Sequence, residues 1–193
     1  EKIDRRYVEQ IRKLDNYIDQ ILYYVRSENA EKDYIIKEKS LQEIIKNVAL
    51  KNKDDLLASK VKLDVNVNNI KVLTDAKWLE FILNQIINNS IKYKRNNVES
   101  YIKIIAKEDK EKTYLSIYDN GIGIPKKDIP RVFEKSFTGE NGRITAKSTG
   151  MGLYIVKKLC DKLGHKINIE SKKNEYTKIT IIFYNNDFYK IKD

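Results

Sequence analysis

Apolar residues recur along this chain in two rhythms. Over residues 1–28, Tyr7, Ile11, Leu14, Ile18, Ile21 and Val25 follow one another in alternating steps of four and three. That is the spacing of a heptad seam, narrower than the stripe a globular helix presents to its own core. Arg5, Arg6, Arg12, Lys13, Asp15, Asp19 and Gln20 fill the other faces. The pattern predicts an amphipathic, coiled-coil-type helix that needs partner helices from another chain or another segment. The competing expectation is a helix folded back onto its own domain.

A polar stretch follows, and residues 29–39 read as a linker. Ser40 is expected to cap a helix, with Glu43 completing a capping box and Leu41, Ile44, Ile45 and Val48 facing inward. Val61-Lys62-Leu63-Asp64-Val65-Asn66-Val67 alternates with period two, which predicts a half-buried strand. Residues 75–93 return to helical period, with Trp78, Phe81, Ile82, Ile86 and Ile87 on one face. Residues 101–106 and 114–118 read as a hairpin, joined by the charged run between 107 and 112. Residues 135–148 carry almost no apolar side chains and are expected to form a mobile loop. A helix over 150–163, stopped by Gly164, and strands at 167–170 and 177–183 complete the chain. Helices and strands mix without regular alternation. The expected fold is therefore α+β, a two-layer α/β sandwich with a mixed sheet, preceded by the amphipathic helix.

Composition changes this picture little. The chain has 193 residues, 41% hydrophobic and 34% charged, which suits one medium core with an appendage. The net charge of +10 comes from lysines scattered along the whole chain, whereas nucleic-acid binders gather their cations and interleave stacking aromatics; no nucleic-acid partner is expected. No apolar run approaches a membrane span, and no signal peptide is visible. The single cysteine, Cys160, falls on the apolar side of the last predicted helix and reads as a buried structural thiol. A first residue of Glu1 rather than methionine is expected of a piece of a longer protein.

Three short motifs carry the chemistry. In Asn88-Asn89-Ser90-Ile91-Lys92-Tyr93, Asn89 and Lys92 lie three apart and share a helix face. Asn89 offers a neutral oxygen to a hard cation such as magnesium, which keeps waters and bridges substrate phosphates. Lys92 would neutralise phosphate charge, and Tyr93 would pack on a base. In Asp119-Asn120-Gly121-Ile122-Gly123-Ile124-Pro125, the carboxylate at a strand end is placed to accept from the exocyclic amine of adenine, while Gly121 and Gly123 permit a tight turn. In Ser148-Thr149-Gly150-Met151-Gly152-Leu153, glycines bare the backbone amides at a helix start, where phosphate binds readily. Each motif alone is better explained as an ordinary helix surface or turn. Together, in this order, they describe one nucleotide site.

With Arg131-Val132-Phe133-Glu134-Lys135-Ser136-Phe137 between the two glycine boxes, the chain from about residue 40 to 183 resembles the ATP-binding catalytic domain of sensor histidine kinases. These belong to a superfamily shared with gyrase, Hsp90 and MutL. The resemblance implies that Asn89 binds magnesium, Lys92 contacts phosphate and Asp119 reads adenine. It implies further ATP contacts from Tyr93, Gly121, Gly123, Phe133, Thr149, Gly150, Met151, Gly152 and Leu153. It makes residues 135–148 a lid over the triphosphate, with Arg143 and Lys147 as phosphate contacts. The first helix, through Ile21-Leu22-Tyr23-Tyr24-Val25-Arg26-Ser27-Glu28, is similar to the second helix of a dimerisation and phosphotransfer domain. The narrower likeness is to short-sensor kinases that work beside peptide-exporting ABC transporters. A homodimer, a response regulator partner and a cytoplasmic position in a bacterial membrane protein follow from that likeness.

Two departures shape the expectation. Gln85 stands where many relatives carry asparagine and gyrase-like ATPases a catalytic glutamate, and a glutamine cannot act as a general base. The phosphoacceptor histidine is missing: the one histidine, His165, follows Gly164 and is expected in a turn or at the surface. The reading is thus a kinase portion that delivers the γ-phosphoryl of Mg-ATP to a histidine outside these residues. A serine kinase or hydrolytic ATPase of the same superfamily, and a non-catalytic ATP-binding scaffold, are the alternatives.

Overall fold

In a computed structural model, the structure describes residues 5–29, 34–140 and 149–185. The chain divides into two compact units, Glu1–Asp33 and Tyr34–Asp193. The first contains α1 (Arg5–Asn29). Its seam residues Tyr7, Ile11, Leu14, Ile18, Ile21 and Val25 are all exposed.

The second unit runs β1 (Lys37–Ser40), α2 (Leu41–Lys51), α3 (Lys53–Ala58), β2 (Val61–Asn66), β3 (Lys71–Thr74) and α4 (Ala76–Lys92). It continues with β4 (Ser100–Glu108), β5 (Lys112–Asp119), a short 3-10 turn (Ile129–Arg131), α5 (Gly152–Lys162), β6 (Lys166–Lys172) and β7 (Tyr176–Tyr184). The main sheet has five strands in the order β2-β4-β5-β7-β6. Only β2 and β4 pair in parallel; the other neighbours are antiparallel. The sheet is therefore mixed, as the irregular alternation of elements predicts. β1 and β3 form a separate antiparallel pair.

One layer of helices covers one face of this sheet. Strand burial alternates strictly along β5, where Thr113, Leu115, Ile117 and Asp119 face in. Leu41, Ile45, Leu79, Ile82, Leu83, Ile86 and Ile87 are at most 2% exposed and meet Ile102, Ile104, Leu115 and Ile117 in the same core. Each such side chain contributes roughly 1.5–3 kcal/mol by leaving water. Two of the helices begin on side-chain caps. Ser40 Oγ accepts from the Glu43 N–H (3.4 Å), and Asp75 Oδ1 accepts from the Trp78 N–H (3.0 Å). The second oxygen of Asp75 accepts from the Ile35 N–H (2.8 Å), and Tyr34 packs its ring 5.1 Å from Trp78. The backbone just before β1 is thereby tied to the start of α4.

Cys160 is fully buried in α5, and burial pushes its thiol up to about 12. His165 corrects the expectation of a surface histidine. It is 5% exposed; its Nε2 is hydrogen-bonded to Thr74 Oγ1 (2.9 Å) and its ring lies 4.5 Å from Phe183. Gly164, at φ +72, turns the chain sharply after α5, and that turn carries the next residue inward rather than out to solvent.

Candidate nucleotide site

The three motifs converge on the last two turns of α4. This helix is buried along most of its length, but Asn88 and Asn89 emerge half-exposed near its end, while Ser90 turns back inside. From there Ser90 Oγ donates to Asp119 Oδ2 (2.8 Å) at the end of β5. The Gly121 N–H donates to the other oxygen, Oδ1, at 2.9 Å. Asp119 is 9% exposed, and burial raises its carboxyl above the usual range, offset in part by these two hydrogen bonds. A carboxylate has lone pairs for more than one donor on each oxygen. A further N–H donor reaching it would relieve the desolvation that burial imposes.

The loop after Asp119 is pressed against the end of α4. The Tyr93 carbonyl accepts from the Ile122 N–H (2.9 Å), and a Cβ on Gly121 would lie 2.6 Å from that same oxygen. Gly123, at φ +62, approaches the β6–β7 turn so closely that a Cβ would lie 2.0 Å from the Lys172 carbonyl oxygen. Glycine is required at both positions. Lys92 extends from the exposed end of α4, with its ammonium 5.3 Å from the Tyr93 ring centre.

The other wall is the start of α5. Unlike α2 and α4, this helix has no side-chain cap at its N-terminus. Its first residue, Gly152, would place a Cβ 3.3 Å from Gln85 Oε1 and 4.0 Å from Asn89 Nδ2. The bare end of α5 therefore abuts the asparagine face of α4. The expected helix start at Gly150 moves to Gly152 because Gly150 adopts φ +66, outside helical space. A Cβ there would lie 2.4 Å from the backbone of Ser136, so the segment carrying Phe133 and Phe137 packs directly on the second glycine box. Phe133 is half-buried, and Arg131 lies over the Phe137 ring at 4.5 Å. Thr149 Oγ1 accepts from the Met151 N–H (3.3 Å), and Met151 and Leu153 are half-buried beside the exposed Thr149. Arg143 and Lys147 lie outside the described residues.

Among the described residues no group of three His, Cys, Asp or Glu side chains gathers to hold a metal ion. The donor set at Asn89 suits a cation that arrives already bound to phosphate oxygens, since a single amide oxygen cannot build an all-protein cage for magnesium. Sequence reasoning missed Arg95. Its Nε donates to the Asn120 carbonyl (2.8 Å) and its Nη1 to the Asn174 carbonyl (2.6 Å), which bridges the first glycine box and the β6–β7 turn. Nothing in the local pattern flags it, because its partners lie 25 and 79 residues away.

The sensor histidine kinase YxdK of Bacillus subtilis (strain 168) is 34% identical over 184 residues, covering 95% of this chain and 56% of that protein. The chain thus spans about half the length of the curated relatives it matches. Among solved structures, the histidine kinase AdeS of Acinetobacter baumannii superposes with a TM-score of 0.73 at 20% identity, covering 94% of this chain and 84% of that one. The histidine kinase ThkA, solved in complex with the response regulator protein TrrA, gives a TM-score of 0.69 at 19% identity, covering 93% of this chain and 49% of that one. These likenesses show a shared fold. Residues 74–186, more than half the chain and all of the site just described, match the family model itself, and the chain belongs to the histidine kinase-, DNA gyrase B-, and HSP90-like ATPase family.

Proposed function

We propose that this chain is the ATP-holding kinase portion of a two-component sensor histidine kinase. The observation that carries the reading is that α4 meets both halves of the site, Ser90 bonded to the Asp119 carboxylate and Asn89 beside the uncapped start of α5. Asp119 accepts the exocyclic amine of adenine, and Tyr93, Gly121, Gly123 and Phe133 shape the base pocket. The amides around Thr149, Gly150, Met151, Gly152 and Leu153 receive the phosphates at the positive end of the α5 dipole. Asn89 would hold a magnesium ion through its amide oxygen, and Lys92 adds positive charge; Arg143 and Lys147 are proposed as further phosphate contacts. The chemistry such an ion would supply at this site is neutralisation of phosphate charge.

The γ-phosphoryl goes to a histidine imidazole supplied from outside these residues, then to an aspartate of a response regulator. His165 is unsuited as acceptor because it is buried and already bonded to Thr74. Phosphoryl transfer of this kind passes through a loose transition state, so positioning and charge neutralisation carry it. Gln85 is buried against Gly152 and cannot take a proton from water, which disfavours a hydrolytic ATPase. The exposed seam of α1 supports a homodimer in the longer protein, and the likeness to sensor kinases supports a cytoplasmic position at a bacterial membrane. The short-sensor resemblance extends the proposal to a peptide-exporting ABC transporter as partner. Among the described residues no helix is long and apolar enough to cross a membrane.

Calorimetry tests the site. Asp119→Ala should abolish Mg-ATP binding, while Asn89→Ala should mainly remove its magnesium dependence; unchanged affinity in both would sink the assignment. Adding a separate histidine-bearing dimerisation domain with labelled ATP tests the kinase. Label on that histidine is expected, and its absence would favour a non-catalytic ATP-binding scaffold.

A further inference from the structure

The adenine side of the site is held by a residue outside every motif. Arg95 lies in the connection between α4 and β4, and its guanidinium reaches in two directions. Nε donates to the carbonyl of Asn120, the residue after Asp119, and Nη1 donates to the carbonyl of Asn174 at the tip of the β6–β7 turn. Asn174 sits at φ +63, and its own N–H donates to the Ile122 carbonyl (2.6 Å). The Asn120 side chain closes the same loop from the other side: Oδ1 accepts from the Tyr101 N–H (2.9 Å) and Nδ2 donates to the Glu99 carbonyl (2.8 Å). The loop that carries Asp119 is thus tied to β4 by Asn120 and to the β6–β7 turn by Arg95.

The same turn also meets the segment between the two glycine motifs. Lys173, beside Asn174, pairs with Glu140 (2.7 Å), which pairs in turn with Lys127 (3.3 Å), and the Glu140 N–H donates to Asp128 Oδ2 (2.9 Å). These ion pairs are exposed and contribute little stability singly. Arg95 differs, because a guanidinium presents several donors in a fixed plane and one side chain can hold two backbone oxygens at a set separation. A lysine ammonium has no such fork.

We propose that Arg95 is a positioning residue for nucleotide recognition: by clamping the backbones of Asn120 and Asn174 it sets the seat from which the Asp119 carboxylate meets adenine. The inference rests on the reading of Asp119 as the adenine contact. It predicts that loss of Arg95 weakens the base half of the ligand and leaves the phosphate half alone.

The test uses the full chain with Arg95→Ala and Arg95→Lys, titrated with Mg-ATP, Mg-GTP and inorganic tripolyphosphate, with thermal melting of each unliganded variant alongside. Both variants should lose about tenfold or more in ATP affinity, a displacement that one or two misplaced hydrogen bonds produces. The preference for ATP over GTP should shrink, and tripolyphosphate affinity should stay within about twofold. Unchanged ATP affinity, an equal loss with tripolyphosphate, or full recovery with lysine would each overturn the clamp; the second would make Arg95 merely structural and the third would reduce it to a charge. Failure of the unaltered chain to prefer ATP over GTP would sink the reading of Asp119 beneath it, and is seen before any variant is compared.

Discussion

At the scale of single residues, two buried titratable groups of the described core, Asp119 and His165, respond to pH in opposite senses. Asp119 has its pKa raised by burial, so the folded state holds a proton more tightly than the unfolded chain, and ionisation opposes folding as pH rises above the ordinary carboxylate range. Asp119→Asn removes that cost while keeping the shape. Its amide oxygen can accept from Gly121 and its NH2 can donate to the Ser90 hydroxyl. The unliganded variant is expected to melt no lower than the parent near neutral pH, yet to lose roughly tenfold to a hundredfold in ATP affinity by calorimetry. His165 behaves differently. Burial depresses its imidazole to about 4 from an ordinary 6.5, so between those values the unfolded chain binds a proton that the folded chain refuses. Stability should therefore fall as pH drops from 6.5 towards 4, by up to about 3 kcal/mol, and His165→Gln should flatten that part of a urea-denaturation pH profile. The sequence misled here for a physical reason. Gly164 announces a turn, but the side chain that receives His165 is Thr74, 91 residues earlier.

At the scale of elements, the glycines separate architecture from chemistry. Gly123 combines a positive φ with a virtual Cβ 2.0 Å from the Lys172 oxygen, so Gly123→Ala should cost about 2 kcal/mol or more of stability and disturb the first glycine box. Gly152 has helical geometry, and its nearest obstacle is the Gln85 amide oxygen at 3.3 Å. Gly152→Ala should stay within about 1 kcal/mol of the parent in chemical denaturation, yet weaken Mg-ATP binding because the added methyl stands at the uncapped helix end. Long periodic elements such as α4, and strongly alternating ones such as β5, were legible from side-chain pattern alone. The strands β1 and β3 were not. Each is four residues long, and Lys37-Glu38-Lys39-Ser40 contains no apolar residue, so its strand character comes only from pairing with β3. The parallel pairing of β2 with β4 was equally hidden, since period two reports which face is buried and not which neighbour lies alongside.

At the scale of the whole molecule, the two units answer to different interactions. The core of the second unit is satisfied internally, whereas the apolar seam of α1 is left in solvent. Ile11→Glu together with Ile18→Glu should shift the sedimentation of the chain towards monomer while leaving Mg-ATP affinity unchanged; a drop in affinity would mean the seam serves the nucleotide site instead. The motifs made the site legible as a set of residues, because each motif is a short string with its own chemistry. Its assembly was not legible. Ser90 on Asp119, Gly152 against Gln85, and Arg95 across two loops are meetings between segments from 25 to 79 residues apart, and no local rhythm encodes them.

Cys160 gives this molecule a built-in clock. It is the chain's one thiol, fully covered, and held almost entirely in the protonated form that does not attack electrophiles. It also sits on α5, the helix whose first residues are proposed to hold the phosphates. A maleimide can therefore react only when an opening of the fold uncovers the thiol, and the labelling half-time counts those openings. Any ligand that binds only the closed form multiplies that half-time by one plus the ratio of its free concentration to its Kd. Nucleotide occupancy can thus be read from the rate at which one sulfur is modified, without a radiolabel, a fluorophore or a phosphoacceptor.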